Sequence, residues 1–96
     1  MADFRATLAD SAPGPGLEPA LAALWWAAKG NWDQAHSIAQ DDASADGSWV
    51  HAYLHRVEGD LGNAGYWYRQ AGKPVATDAI ETEWERMVLA LLGGRA

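Results

Sequence analysis

The chain has 96 residues, six tryptophans and no cysteine, and its formal net charge at pH 7 is −6. Without cysteine it can form neither a disulfide nor a thiolate metal site, and its seven scattered basic residues make no stripe that could follow a phosphate backbone. We expect a single domain that binds neither nucleic acid nor an anionic membrane surface.

The N-terminal sequence carries no recognisable targeting signal. Residues 1–5 lack the basic and apolar regions of a signal peptide. No uninterrupted apolar run approaches the ~20 residues that a membrane-spanning helix needs. On this basis we expect a cytoplasmic protein.

The first sixteen residues differ in composition from the rest of the chain. They end in SAPGPG at 11–16, where alternating Pro and Gly disfavour regular structure. Phe4 and Leu8 lie four apart and could form one turn that docks on the body, and an untethered arm is the alternative. We assign residues 1–16 to a flexible N-terminal arm and residues 17–96 to a single helical domain.

Apolar residues at helical spacing predict five helices after this arm. Pro19 suits the first position of the first helix, and Asn31 suits the N-cap of the second. The predicted helices run from Pro19 to Gly30, over about 32–40, about 48–58 and about 61–71, and from Thr77 or Asp78 to Gly93-Gly94. The prediction is an all-α fold, with two antiparallel helical hairpins and a C-terminal capping helix.

A short internal repeat supports the two hairpins. Gly30 and Gly59 lie 29 residues apart, and aligning them also aligns three further pairs: Asn31 with Asp60, Ala23 with Ala52, and Ala35 with Ala64. In each copy the small residues allow close packing of two helices, glycine allows a sharp turn, and Asn or Asp caps the helix that follows.

Residues 48–74 resemble a tetratricopeptide repeat, whose usual period is 34 residues. Six residues carry the match, at the small positions, the turn and the later aromatic position of that repeat: Ala52, Gly59, Asp60, Ala64, Tyr68 and Ala71. The segment from His51 to Gly72 also looks like a block found in small bacterial proteins of no assigned function. The resemblance implies a tetratricopeptide-like module that binds or interacts with a partner.

Histidines supply the first candidate site. His51 and His55 lie at i and i+4 on one flank of the third predicted helix, with Glu58 one turn further. Two imidazoles in this arrangement could bind a divalent metal, and a zinc site would need at least one more ligand, for which His36 and Asp33 are candidates. The favoured interpretation has no cofactor, with each histidine hydrogen-bonded to a neighbouring helix, and the divalent metal is the alternative.

A polar face on the fourth predicted helix supplies the second candidate site. If this face adjoins the third helix, imidazole, phenol and guanidinium groups could surround a small anionic or aromatic ligand. A solvated helix face is the alternative. The predicted ligand-binding residues are His51, His55, Arg56, Asn63, Tyr66 and Arg69.

Trp25 and Trp26 cannot both be buried by one face of the first predicted helix. With Leu21 and Leu24 inside, Trp25 falls at the edge of the core and Trp26 points away from it. The arm, a ligand or a second copy of the chain would then cover Trp26. We therefore predict an interface at Trp26 and a possible homodimer.

The composition and motifs favour a small tetratricopeptide-like module that binds a protein or a small molecule through a His/Tyr/Arg-rich surface. The alternative is a small metal-dependent or acid–base enzyme, or a ligand binder, that uses His51, His55 and Glu58. Whether the chain is an enzyme stays open. Replacement of the histidines by glutamine would be tolerated by the first class of protein and not by the second.

Overall fold

The computed structural model describes residues 1–93, and every regular element in this range is helical. The six α-helices are α1 (Ala2–Ala6), α2 (Pro19–Ala28), α3 (Trp32–Asp41), α4 (Ala45–Val57), α5 (Leu61–Ala71) and α6 (Ile80–Gly93), with a 3-10 turn at Thr7–Ala9 after α1. This confirms the all-α class, although residues 1–93 form six helices where about five were predicted. The predicted end of the last helix at Gly94, and the rest of 94–96, lie outside the described residues. Within 1–93 no helix has both the length and the apolar character needed to cross a bilayer.

The repeated sequence forms the same turn twice. Gly30 and Gly59 have φ angles of 82° and 86°, a left-handed conformation that glycine adopts without the steric cost of a Cβ. The residues that follow, Asn31 and Asp60, each donate a backbone N–H to the carbonyl five residues earlier, at 3.0 and 2.9 Å. Their side chains then cap α3 and α5. The helix pairs α2–α3 and α4–α5 are therefore joined by equivalent connections.

Helix α4 lies at the centre of the molecule, in contact with α2, α3, α5 and α6. Every residue from Trp49 to His55 is buried, because neighbouring helices cover the helix on several sides. Helix α4 begins at Ala45, earlier than predicted, since the Ser44 hydroxyl accepts a hydrogen bond from the backbone N–H of Gly47 at 3.1 Å. Asp46 and Ser48, which are also residue types that can cap a helix, thus lie inside it.

The N-terminal segment forms the docked turn that was one of its two predicted alternatives. Phe4 is buried, with its ring 6.0 Å from that of Trp84. The Thr7 hydroxyl accepts a hydrogen bond from the indole N–H of Trp25 at 3.1 Å. Trp25 is completely buried, so the prediction that it lies at the edge of the core was wrong. The segment contributes one of the groups that cover this ring.

Glu83 on α6 is also completely buried, which is unusual for a carboxylate. Its Oε1 accepts a hydrogen bond from Arg56 at 2.8 Å, and its Oε2 accepts one from the Tyr68 hydroxyl at 2.5 Å. The position follows from helical spacing, because residue 83 lies one turn before the buried residue 87. An ion pair therefore joins α4 to α6 inside the core.

We expect Ala64→Leu to destabilise the fold by roughly 1–3 kcal/mol, because the larger side chain would overpack the contact between α4 and α5. Ala64 is 2% exposed, and α5 packs closely along α4. Urea denaturation followed by circular dichroism measures the change. Gln70→Leu on the exposed side of α5 is the control and should leave the midpoint nearly unchanged. Equal midpoints for wild type and Ala64→Leu would contradict the helix pairing.

Candidate functional site: a histidine cluster between two tryptophans

Three histidines from two helices meet where α3 packs against α4. His36 lies on α3, and its Nε2 is 3.1 Å from Nε2 of His51 on α4. His55 lies one turn further along α4, with its ring centroid 4.9 Å from that of His51. One ring nitrogen from each of the three lies within 4.8 Å of the other two. The structure thus places His36 beside His51 and His55, whereas the sequence alone identified it only as a candidate third ligand.

Two tryptophans stack on this cluster, one from α3 and one from α5. Trp32 on α3 stacks on His36, with centroids 4.7 Å apart and planes 10° from parallel. Trp67 on α5 stacks on His51 at 4.0 Å and 15°. The Trp32 indole N–H donates to the carbonyl of Leu54 at 2.8 Å, which holds that ring in place. These contacts fix the orientation of two of the three imidazoles.

Neither Trp32 nor Trp67 was among the predicted site residues. The Trp32–His36 pair had a local signal, since residues four apart on a helix are neighbours. The Trp67–His51 stack had none, because it depends on how α5 lies against α4.

Burial keeps two of the imidazoles neutral. His51 is 6% exposed, and its burial, followed by the nearby His36 and His55, lowers its pKa to about 4. The pKa of the half-buried His36 is also lowered, first by burial and then by His55, although Glu58 and Asp33 partly oppose this effect. A neutral imidazole has a free nitrogen lone pair, which is the form that binds metals.

Glu58 orients His55 rather than joining the three nitrogens. Its Oε1 lies 2.6 Å from Nδ1 of His55. Because a carboxylate only accepts hydrogen bonds, Nδ1 carries a proton, and in the neutral imidazole the lone pair is then on Nε2. A carboxylate in this position is the usual partner of a metal-binding histidine. The predicted ligand set of His51, His55, Glu58 and His36 therefore divides into three imidazoles and one orienting carboxylate.

Arg56 lies in a different part of the structure from the histidines. One position after His55, it is rotated by about 100° around α4 and faces α6. There its guanidinium forms hydrogen bonds with Glu83 and with the backbone carbonyl of Asp78. The prediction that Arg56 binds a ligand beside the histidines is replaced by a role in the core ion pair.

The remaining predicted residues on α5 are only partly associated with the cluster. Tyr66 is 46% exposed and contacts Trp67 edge to face, with centroids 5.1 Å apart. Asn63 is exposed, and its side-chain amide donates to the Asp60 carboxylate at 2.8 Å, in the turn before the helix. Arg69 is exposed as well. The structure therefore does not gather the six predicted residues around one ligand position.

Trp26 is partly buried rather than fully directed away from the core. Its ring meets Trp25 edge to face, with centroids 5.0 Å apart. It packs against the core cluster and keeps part of its surface uncovered. The homodimer through Trp26 stays a prediction.

Comparison with protein-family models, with curated proteins and with solved structures finds no match for this chain. The resemblance of residues 48–74 to a tetratricopeptide repeat therefore stays a prediction. The histidine cluster and its surroundings are the basis of the functional inference.

Proposed function

We propose that this protein binds a divalent transition-metal ion through His36, His51 and His55. The supporting observation is the convergence of three ring nitrogens within 4.8 Å, with the closest pair 3.1 Å apart. Two nitrogens that each lie 2.0–2.1 Å from a tetrahedral zinc ion are separated by about 3.3 Å. The closest pair already has nearly this spacing, so small movements of His55 would complete a three-nitrogen site.

The chemistry of the donors favours zinc, copper or nickel over magnesium or calcium. Imidazole nitrogen suits the first group, and the second group prefers oxygen ligands. Three histidines leave a fourth coordination position for water or another small ligand. We propose binding rather than catalysis, because His51 and His55 are 6% and 8% exposed, which leaves little room for a substrate beside the ion.

The site would join the two helix pairs. His36 comes from the second helix of the pair α2–α3, and His51 and His55 come from the first helix of the pair α4–α5. We propose that these pairs form a tetratricopeptide-like scaffold, which is supported by their equivalent glycine turns. A bound ion would then stabilise the packing of one pair on the other.

Zinc is expected to raise the melting temperature of metal-free protein. Binding to the folded state alone adds about 2.7 kcal/mol at a free concentration one hundred times the dissociation constant. For a domain of this size, that corresponds to a shift of roughly 10–20 °C. Thermal unfolding followed by circular dichroism measures the shift, and isothermal titration calorimetry gives the number of sites. The visible absorption of added Co²⁺ reports whether the coordination is tetrahedral.

Variants separate this site from adventitious binding. Each of His36→Gln, His51→Gln and His55→Gln should abolish the shift, and Glu58→Gln should weaken binding by about 10–100-fold. Asp3→Asn removes an exposed carboxylate on α1 and should change nothing. Metal-free melting curves show that each variant is folded. An unshifted wild type, or a shift that survives the removal of His36, would end the proposal.

A further inference from the structure

A cleft of about 470 Å³ opens between the N-terminal segment, the α2–α3 turn, α4 and the start of α6. This volume is within the range of small-molecule sites. Three aromatic residues line it, together with apolar side chains that include Val57 and Ile80, which are 42% and 37% exposed. The aromatic residues are Trp32, Tyr53 and Trp84. The cleft thus offers uncovered apolar surface.

The two tryptophans contribute ring surface and no free donor. The indole N–H of Trp32 donates to the Leu54 carbonyl, and that of Trp84 donates to the Leu24 carbonyl, each at 2.8 Å. Both polar atoms are therefore satisfied inside the protein. A ligand in the cleft would meet the apolar parts of these rings.

Tyr53 offers the cleft a polar group. The residue is only 5% exposed, and no hydrogen bond joins its hydroxyl to another residue in 1–93. A phenol keeps its proton at neutral pH, and burial, followed by the carboxylates of Glu83 and Glu81, raises the pKa of Tyr53 further, to about 12. No sealed-off side-chain nitrogen or oxygen in residues 1–93 lacks a hydrogen-bonding partner, so this hydroxyl reaches solvent and is available to a ligand.

The charge that lines the cleft is negative once ion pairs are taken into account. Arg5 lines it, but its guanidinium is paired with Glu85 and lies 5.0 Å from the centre of the Trp84 ring. Glu81 also lines the cleft and is exposed, with no ion pair to any residue in the described range. The Glu81 carboxylate therefore presents a negative charge, without an ion-pair partner, to a ligand in the cleft.

We infer that this cleft binds a small organic cation, an amine carried on an aromatic or aliphatic body. The body packs against the rings and against Val57 and Ile80. The ammonium group lies beside the Glu81 carboxylate and donates a hydrogen bond to the Tyr53 hydroxyl. Tyr53 and Glu81 both line this cleft, so a single ligand could contact the two groups together.

Three probes of nearly equal size test the inference: 2-phenylethylamine, 2-phenylethanol and 3-phenylpropionate. Each is titrated into ¹⁵N-labelled protein, and the backbone and indole resonances are followed. The amine should shift the resonances of residues that line the cleft and bind roughly tenfold or more tightly than the carboxylate, with the alcohol between them. Equal binding of all three probes, or preference for the carboxylate, would overturn the inference.

Two variants assign the polar contacts. Tyr53→Phe removes only the hydroxyl, so it should leave the melting temperature unchanged and weaken the binding of 2-phenylethylamine by about tenfold. Glu81→Gln should weaken the binding of the amine by roughly threefold to tenfold and leave the affinity for the alcohol unchanged. Asp41→Asn removes the same charge from an exposed position on α3 and is the control. Unchanged amine affinity in Glu81→Gln would show that this carboxylate does not select the ligand.

Discussion

Replacing Glu83 by alanine is expected to destabilise the protein by about 3–5 kcal/mol, the cost of breaking a buried ion pair by removing one partner. Glu83 is completely buried and accepts hydrogen bonds from both Arg56 and Tyr68. Its removal leaves a largely buried guanidinium without this carboxylate and leaves a buried phenol without its acceptor. Chemical denaturation, with the unfolding free energy extrapolated to water, measures the loss.

The neighbouring carboxylate supplies a matched control for this prediction. Glu85 lies on the same helix and pairs with Arg5, but both side chains are about half exposed. Glu85→Ala should therefore cost no more than about 1 kcal/mol. Glu83→Gln keeps an oxygen that can accept a hydrogen bond from Tyr68. Its loss of unfolding free energy should therefore lie between those of Glu83→Ala and Glu85→Ala. Similar losses for Glu83→Ala and Glu85→Ala would mean that the ion pair is not buried in solution.

Acid should destabilise the protein between pH 7 and pH 5, before most carboxylates titrate. His51 has a pKa of about 4 in the folded state and 6.5 as the reference for the unfolded chain. In this interval the unfolded state binds more protons, so stability falls as pH falls from 6.5 towards 4. His51 alone accounts for about 2 kcal/mol of this loss at pH 5. The lowered pKa of His36 acts in the same direction.

The pH dependence can be assigned to His51 by substitution. His51→Gln removes this proton-binding group, so its unfolding free energy should change less between pH 7 and pH 5 than that of wild type. Urea denaturation at half-unit pH intervals gives both curves. Asp60 and Asp78 do not interfere, because hydrogen bonds lower their pKa values and place their titration at more acid pH. Parallel curves for wild type and His51→Gln would contradict the assignment.

Local features of the sequence predicted the helices well. The bounds of α5 at Leu61–Ala71 agree with the prediction, as does the start of α2 at Pro19. Glycine turns, Asn and Asp caps and apolar spacing act over a few residues, so they can be recognised without knowing the fold. The repeated turn at Gly30 and Gly59 has this character.

Burial was predicted less well, because it depends on which helices cover a given face. Val57 and Leu61 each lie three residues from a core residue of the same helix, yet they are 42% and 68% exposed. Trp25 was expected at the edge of the core, and Glu83 is a carboxylate, yet both are completely buried. Helical periodicity identifies residues that share a face, but a neighbouring helix must be present to bury that face.

The same distinction between local features and tertiary packing applies to the candidate site. By itself the sequence determined that His51 and His55 share a flank of one helix, since residues at i and i+4 are neighbours on any α-helix. Only the tertiary structure decided that His36, fifteen residues earlier, comes within 3.1 Å of His51, and that Trp67 stacks on the same ring. Those contacts arise from the packing of α3 and α5 on α4, which is determined by the whole core and not by any short segment.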